Sequence, residues 1–231
     1  MKHVIIFSLF AILVSCGSQK TPMPGIVQAE RVTYKMFIEE EGYIGQTPAM
    51  LHVQLIPSDY GFYRVQELEG PGVTAVDSLW LDPHGKPLMQ VSMHDRNKVR
   101  RIMQEDAILQ QEGRDTFSIP HTYPTLFTIT QMDLVLRGLD TISYEESMPF
   151  LLSGQTDFSF FEMQEIGRDS TEAHWMTREQ IPTVHRFAAV PGTIYEGWYA
   201  EGEVLPIKWK ATFSGSTYVY LRYVVEEGTE N

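Results

Sequence analysis

One cysteine, Cys16, occurs in 231 residues, so no disulfide can form within the chain. No two of the seven histidines lie within four residues of each other, which excludes a metal clip built from neighbouring ligands. Basic side chains are scarce, 18 against 30 acidic ones, and the net charge of −12 argues against a nucleic-acid partner. The motifs G-x-S-x-G, S-x-x-K and H-E-x-x-H are missing, and Gly85-Lys86 lacks the upstream glycine of a phosphate loop. Nothing in the sequence therefore calls for a cofactor. Low-complexity tracts and long apolar runs are absent too, and 43% hydrophobic residues are enough to build one globular core.

What is present begins at the cysteine. Lys2 and His3 precede an apolar stretch from Val4 to Val14, broken only by Ser8, and the small residues Ser15 and Gly17 flank Cys16. Eleven helical residues span roughly 16 Å, about half of a hydrocarbon core, so the stretch reads as a secretory signal and not as a membrane span. Leu13-Val14-Ser15-Cys16 resembles the lipobox of bacterial lipoproteins. That resemblance implies cleavage before Cys16, lipid attachment to its thiol, and a membrane anchor in the cell envelope. Gly17 stands where an aspartate would favour inner-membrane retention, which implies the outer membrane. Residues 1–15 are then the signal peptide. Residues 16–29, with two prolines and two glycines from Gly17 to Ala29, form the lipidated start and a tether of roughly 40 Å when extended. Residues 30–231 form a single β-rich domain.

After residue 30 the apolar residues recur with period two. Val32, Tyr34, Met36 and Ile38 make one such series, Leu51, Val53 and Leu55 another, Met89, Val91 and Met93 a third, and Leu205, Ile207, Trp209, Ala211 and Phe213 a fourth. This is the pattern of antiparallel strands with one face toward a core. Turn signals such as Pro57-Ser58-Asp59, Gly70-Pro71-Gly72 and Pro191-Gly192 divide the chain into about ten to twelve strands. "WLDPHGKPL" (80–88) and "WYAEGEVLP" (198–206) read as hairpins. One segment differs: in Pro124 to Leu139 the spacing of Leu126, Ile129, Met132 and Leu136 predicts a three-turn helix, with Thr122 as cap and Gly138 as stop.

The expected fold is mainly β: a single antiparallel curved sheet or half-barrel with one helix, a β-sandwich or closed barrel being the alternatives. The order signal, long meander, helix and final meander resembles the half-barrel of the periplasmic lipoprotein carriers. That resemblance implies a curved sheet wrapped around an apolar groove.

Candidate sites are few. "YEGWYAEGE" (195–203) interleaves Trp198 and Tyr199 with Glu196, Glu201 and Glu203, a composition able to stack on and hydrogen-bond a sugar; the alternative is a hairpin with its aromatic residues in the core. "HDRNKVRR" (94–101) gathers Arg96, Lys98, Arg100 and Arg101, which Glu105, Asp106, Glu112 and Asp115 could neutralise across a hairpin. "STYVYLRYVVEE" (216–227) carries Val219, Leu221 and Tyr223 on one parity and Tyr218, Tyr220 and Arg222 on the other, and Phe160 and Phe161 point to both sides of one strand. A second aromatic face is either covered or lines an apolar groove. Tyr218, Tyr220, Trp198 and Tyr199 are accordingly the candidate ligand-binding residues, and Cys16 the lipid attachment site. The expected function is a non-enzymatic, membrane-anchored envelope lipoprotein that binds an apolar or amphipathic ligand or an envelope protein. A carbohydrate-active hydrolase using cross-strand carboxylates, or a purely structural lipoprotein, is the alternative.

Overall fold

The structure, a computed structural model, describes residues 29–41, 43–95, 97–123, 127–138, 148–151 and 158–223. Residues 1–28, which hold the expected signal, Cys16 and all but the last residue of the expected tether, lie outside them, as do Arg96, Leu126, Val224 and Val225.

Fifteen strands run in order: β1 Glu30–Glu40, β2 Tyr43–Ser58, β3 Gly61–Gly70, β4 Val73–Leu81, β5 Pro87–His94, β6 Asn97–Met103, β7 Ala107–Glu112 and β8 Asp115–Pro120, then β9 Phe127–Thr128, β10 Met148–Leu151, β11 Phe158–Glu172, β12 Gln180–Val190, β13 Thr193–Tyr199, β14 Lys208–Phe213 and β15 Ser216–Arg222. They form one sheet, ordered β8-β7-β6-β5-β4-β3-β2-β1-β15-β14-β13-β12-β11-β10-β9. Every pairing is antiparallel except the short β9–β10 pair. The first and last strands of the chain are thus central neighbours, Met36 opposite Tyr220. This is the expected curved antiparallel sheet, open between β8 and β9, with more strands than the turn signals imply.

Side chains bridge that opening where no ladder does. Ile108 and Ile119 of β7 and β8 pack on Leu151 of β10, and Tyr123 meets Phe158 edge-on at 5.3 Å between ring centroids. Gly61 shows how tightly the meander turns: its φ is +134°, and a Cβ there would lie 2.1 Å from the Leu81 carbonyl oxygen.

The helical segment is shorter than the sequence pattern predicts. Phe127–Thr128 is the β9 strand, Ile129–Gln131 a 3₁₀ turn, and only Met132–Arg137 is an α-helix, α1, ending at Gly138. Six residues cannot hold a helix in water unaided. Here the sheet supplies the fixing groups. Tyr199 Oη donates to the Asp133 carbonyl at 2.6 Å, and Arg186, 2% exposed, donates to the Leu136 carbonyl at 2.9 Å and to that of Arg137. A cation at the helix C-terminus also complements the orphan carbonyls there.

α1 therefore lies inside the curved sheet and divides the core in two. On one side Leu134 packs with Tyr34, Leu51, Leu55, Leu79, Leu205 and Tyr220; on the other Val135 and Leu136 pack with Phe150, Phe161 and Ala188.

Candidate functional site

Two strands reverse the expected facing. In β5 the buried residues after the opening Pro87 are Gln90 and Ser92, while Met93 is exposed and Val91 half-buried. In β15 it is Tyr218, Tyr220 and Arg222 that share the inner face with Tyr34 and Met36, opposite the Val219 parity. Alternation reveals two faces, but an interior that is itself partly polar removes the label that says which one is inside.

A polar seam crosses this interior. Arg64, 2% exposed, donates to Gln66 Oε1 at 3.0 Å and to Asp133 Oδ2 at 2.8 Å. Ser92 donates to Asp77, and the Gln90 amide donates to Ser92 at 3.2 Å and to Thr130 at 2.9 Å. Arg101 Nε donates to Gln110, whose amide donates to Glu112. Burial holds the Arg101 guanidinium below its ordinary value, against the pull of Asp77 and Glu112.

Beside the seam lies a cavity of about 190 Å³. One wall is polar: Arg64, Gln66 and Asp77 from β3 and β4. The floor comes from Thr130, Met132, Asp133 and Leu136, and the opposite wall is aromatic, with Tyr195, Tyr199, Trp209, Phe213 and Tyr220. Trp209 stacks on Tyr220 with ring centroids 4.1 Å apart, and Phe213 on Tyr218 at 4.8 Å. Phe213, at the end of β14 and 40% exposed, marks the mouth.

The tyrosine hydroxyls differ in their partners. Tyr199 is bonded to the helix, whereas Tyr195 and Tyr220 form no hydrogen bond through their hydroxyls among the described residues. Burial pushes Tyr195 up to about 12 and raises Tyr199 and Tyr220 well above the ordinary phenol value. All three are neutral donors at physiological pH.

Of the four aromatic candidates from the sequence, Tyr199 and Tyr220 line the cavity, and Tyr218 stands beside it against Phe213. Trp198 is on the outer face. There it stacks on His185 at 4.2 Å, donates to Asp169 at 3.0 Å and carries Lys208 Nζ 4.9 Å from its ring. The acids of "YEGWYAEGE" do not bring carboxylates to the cavity: Glu196 lies 3.1 Å from His185 on the outer side, Glu201 is exposed, and Glu203 pairs at 3.2 Å with Arg222, which is not part of the cavity lining. The carboxylates that share the cavity, Asp77 and Asp133, come from elsewhere. Both Asp133 oxygens are engaged, by Arg64 and by the Leu134 amide.

The basic cluster also differs from expectation. Lys98 and Arg100 form no ion pair among the described residues, Arg100 donating to Met89 Sδ instead, while Arg101 turns inward. His52 is held on the polar side by Thr33 at 2.9 Å. No group of three His, Cys, Asp or Glu side chains among the described residues could hold a metal ion.

Arg64, Asp77 and Thr130 were not singled out from the sequence, and Trp209 stands there only as part of the alternating series 205–213. The one signal there was the polar parity of β3 to β5, which also reads as a solvent face.

No family model and no curated protein matches the chain. A solved structure does: the beta-barrel-like protein of domain of unknown function DUF1849 from Brucella abortus, at TM-score 0.56 and 10% identity, covering 84% of this chain and 94% of that one. The likeness supports the barrel-like fold.

Proposed function

We propose that this protein is a lipid-anchored lipoprotein of the cell envelope whose β domain binds a small amphipathic molecule inside the curved sheet without acting on it chemically. The observation that carries this reading is the cavity's division into a polar and an aromatic wall, with the Tyr195 and Tyr220 hydroxyls left without protein partners. Both hydroxyls are reachable from the cavity or the solvent, and a bound molecule could supply the partner that the described residues do not. At about 190 Å³ the cavity is below the usual range for drug-sized ligands but larger than the engineered void of about 150 Å³ that accepts benzene. It suits one ring or the end of a chain. Anchoring rests on the lipobox-like Leu13-Val14-Ser15-Cys16.

Solvent extraction of the purified protein followed by mass spectrometry tests the binding. A stoichiometric small molecule should be released from the unmodified chain and be lost from Ala211→Phe, which fills the cavity from a position 2% exposed. Equal release from the folded variant would place the molecule elsewhere.

A further inference from the structure

We infer that the ligand of this cavity is an organic ammonium compound, a cationic nitrogen on an apolar body, with Asp77 as its charge partner. The inference rests on the cavity being a binding site and adds the charge class of what binds.

The charge balance of the lining comes first. Asp77 and Asp133 face it against Arg64 alone, and Arg64 is committed to Asp133 at 2.8 Å. Glu196 directs its carboxylate to His185 on the outer face. Arg101 acts on Asp77 only from beyond ion-pair distance, and no ion pair reaches Asp77 among the described residues. A carboxylate that lines the cavity without an ion pair of its own repels an incoming anion and attracts a cation.

The open valences agree. Ser92 donates to Asp77 Oδ1, and Oδ2 has no protein hydrogen bond among the described residues. Oδ2 is not among the buried atoms without a partner either, so it is reachable from the cavity or the solvent. A carboxylate oxygen can only accept, so the group that completes it must donate.

Tyr220, 8% exposed, and Tyr195 also line the cavity, and their hydroxyls, without partners among the described residues, can accept an N–H from a bound molecule. The remaining wall fits a cation as well. Five aromatic rings line a small space, and ring faces attract an ammonium within about 6 Å, most strongly where water is excluded. The net charge of −12 favours cation arrival over anion arrival.

Three near-isosteric probes separate the possibilities: 2-phenylethylamine, 2-phenylethanol and 3-phenylpropionate, titrated calorimetrically into the purified full chain at pH 7 and low salt. The amine should bind at least tenfold more tightly than the alcohol, and the carboxylate should bind least. Asp77→Asn should weaken the amine tenfold or more while leaving the alcohol within threefold, and Tyr220→Phe should weaken the amine less. Should Asp77→Asn fail to fold, the ranking on the unmodified chain decides alone. An alcohol or carboxylate bound as tightly as the amine, or an amine indifferent to Asp77→Asn, overturns the inference and leaves the cavity as a site for another class. If none of the three binds and extraction releases nothing, both this inference and the proposed binding function fall.

Discussion

The Tyr199 ring lies across the backbone of Gly197, so close that a Cβ added at Gly197 would sit 2.6 Å from Tyr199 Cε2. This contact lets the Tyr199 hydroxyl reach the Asp133 carbonyl and dock α1. Gly197→Ala must therefore displace the ring. It should cost about 1–3 kcal/mol in urea unfolding, while Tyr199→Phe, losing one hydrogen bond, should cost about 1 kcal/mol. Gly45→Ala is the control: its Cβ would meet only the Ile38 carbonyl oxygen at 3.8 Å, and it should change stability by less than about 0.5 kcal/mol. Equal effects at the two glycines would mean that the ring does not depend on Gly197.

The Arg64–Asp133 pair joins β3 to α1 inside the sheet, with side chains 3% and 12% exposed. Removing one partner leaves the other charge buried, so Arg64→Met or Asp133→Leu alone should cost about 3–5 kcal/mol. The double variant should be more stable than the sum of the two losses predicts. A double-mutant cycle reads this directly, and additive costs would deny the coupling.

Two glutamates should shift acid stability in opposite directions. Burial raises Glu30 above its ordinary 4.5, outweighing the Arg222 guanidinium and the Leu205 and Val204 amides. The folded state then binds the proton more strongly, so Glu30's contribution is fullest below pH 4.5 and is lost as pH rises through the folded value. The hydrogen bond from His185 holds Glu196 below 4.5, so its contribution is present above that pH and is lost as pH falls through the folded value. Denaturant titrations from pH 3 to 7 should show the wild type losing ground to Glu30→Gln as pH rises and gaining on Glu196→Gln. Parallel curves would contradict the assignment.

Tyr220 is both cavity wall and core, packed with Tyr34 and Leu134 and stacked on Trp209. Arg222, on the same parity as Tyr220, taken alone gives the expectation that this face tolerates a charge. The structure reverses that expectation, because Arg222 is neutralised by Glu30 at 3.3 Å and Glu203 at 3.2 Å. Tyr220→Glu should cost several kcal/mol, and Tyr220→Phe, which gives up a hydroxyl with no protein partner, under about 1 kcal/mol. Thermal melts of the two variants check this.

On the proposed anchoring, Cys16→Ser removes the thiol that would carry the lipid, so the protein should move from the membrane to the soluble fraction and take up no labelled fatty acid. Retention in the membrane pellet would show a different anchor.

The sequence by itself determined the local rules. Apolar residues alternating in 32–38 and 51–55 make strands, glycine-bearing turns separate them, and Gly138 ends the helix, because each depends only on neighbouring backbone and side chains. Tertiary structure decided which faces turn inward. Gln90 and Ser92 could be buried only because Thr130 and Asp77, distant in sequence, supply their partners, and Tyr220 became inner wall because β15 pairs with β1. It also shortened the helix, since Phe127–Thr128 pairs with β10 before the helical turn begins. The cavity belongs wholly to that level. Its walls come from β3, β4, β13, β14, β15 and the helical segment, brought together by the curvature of the sheet around α1. A polar residue's place inside depends on partners that no local period encodes.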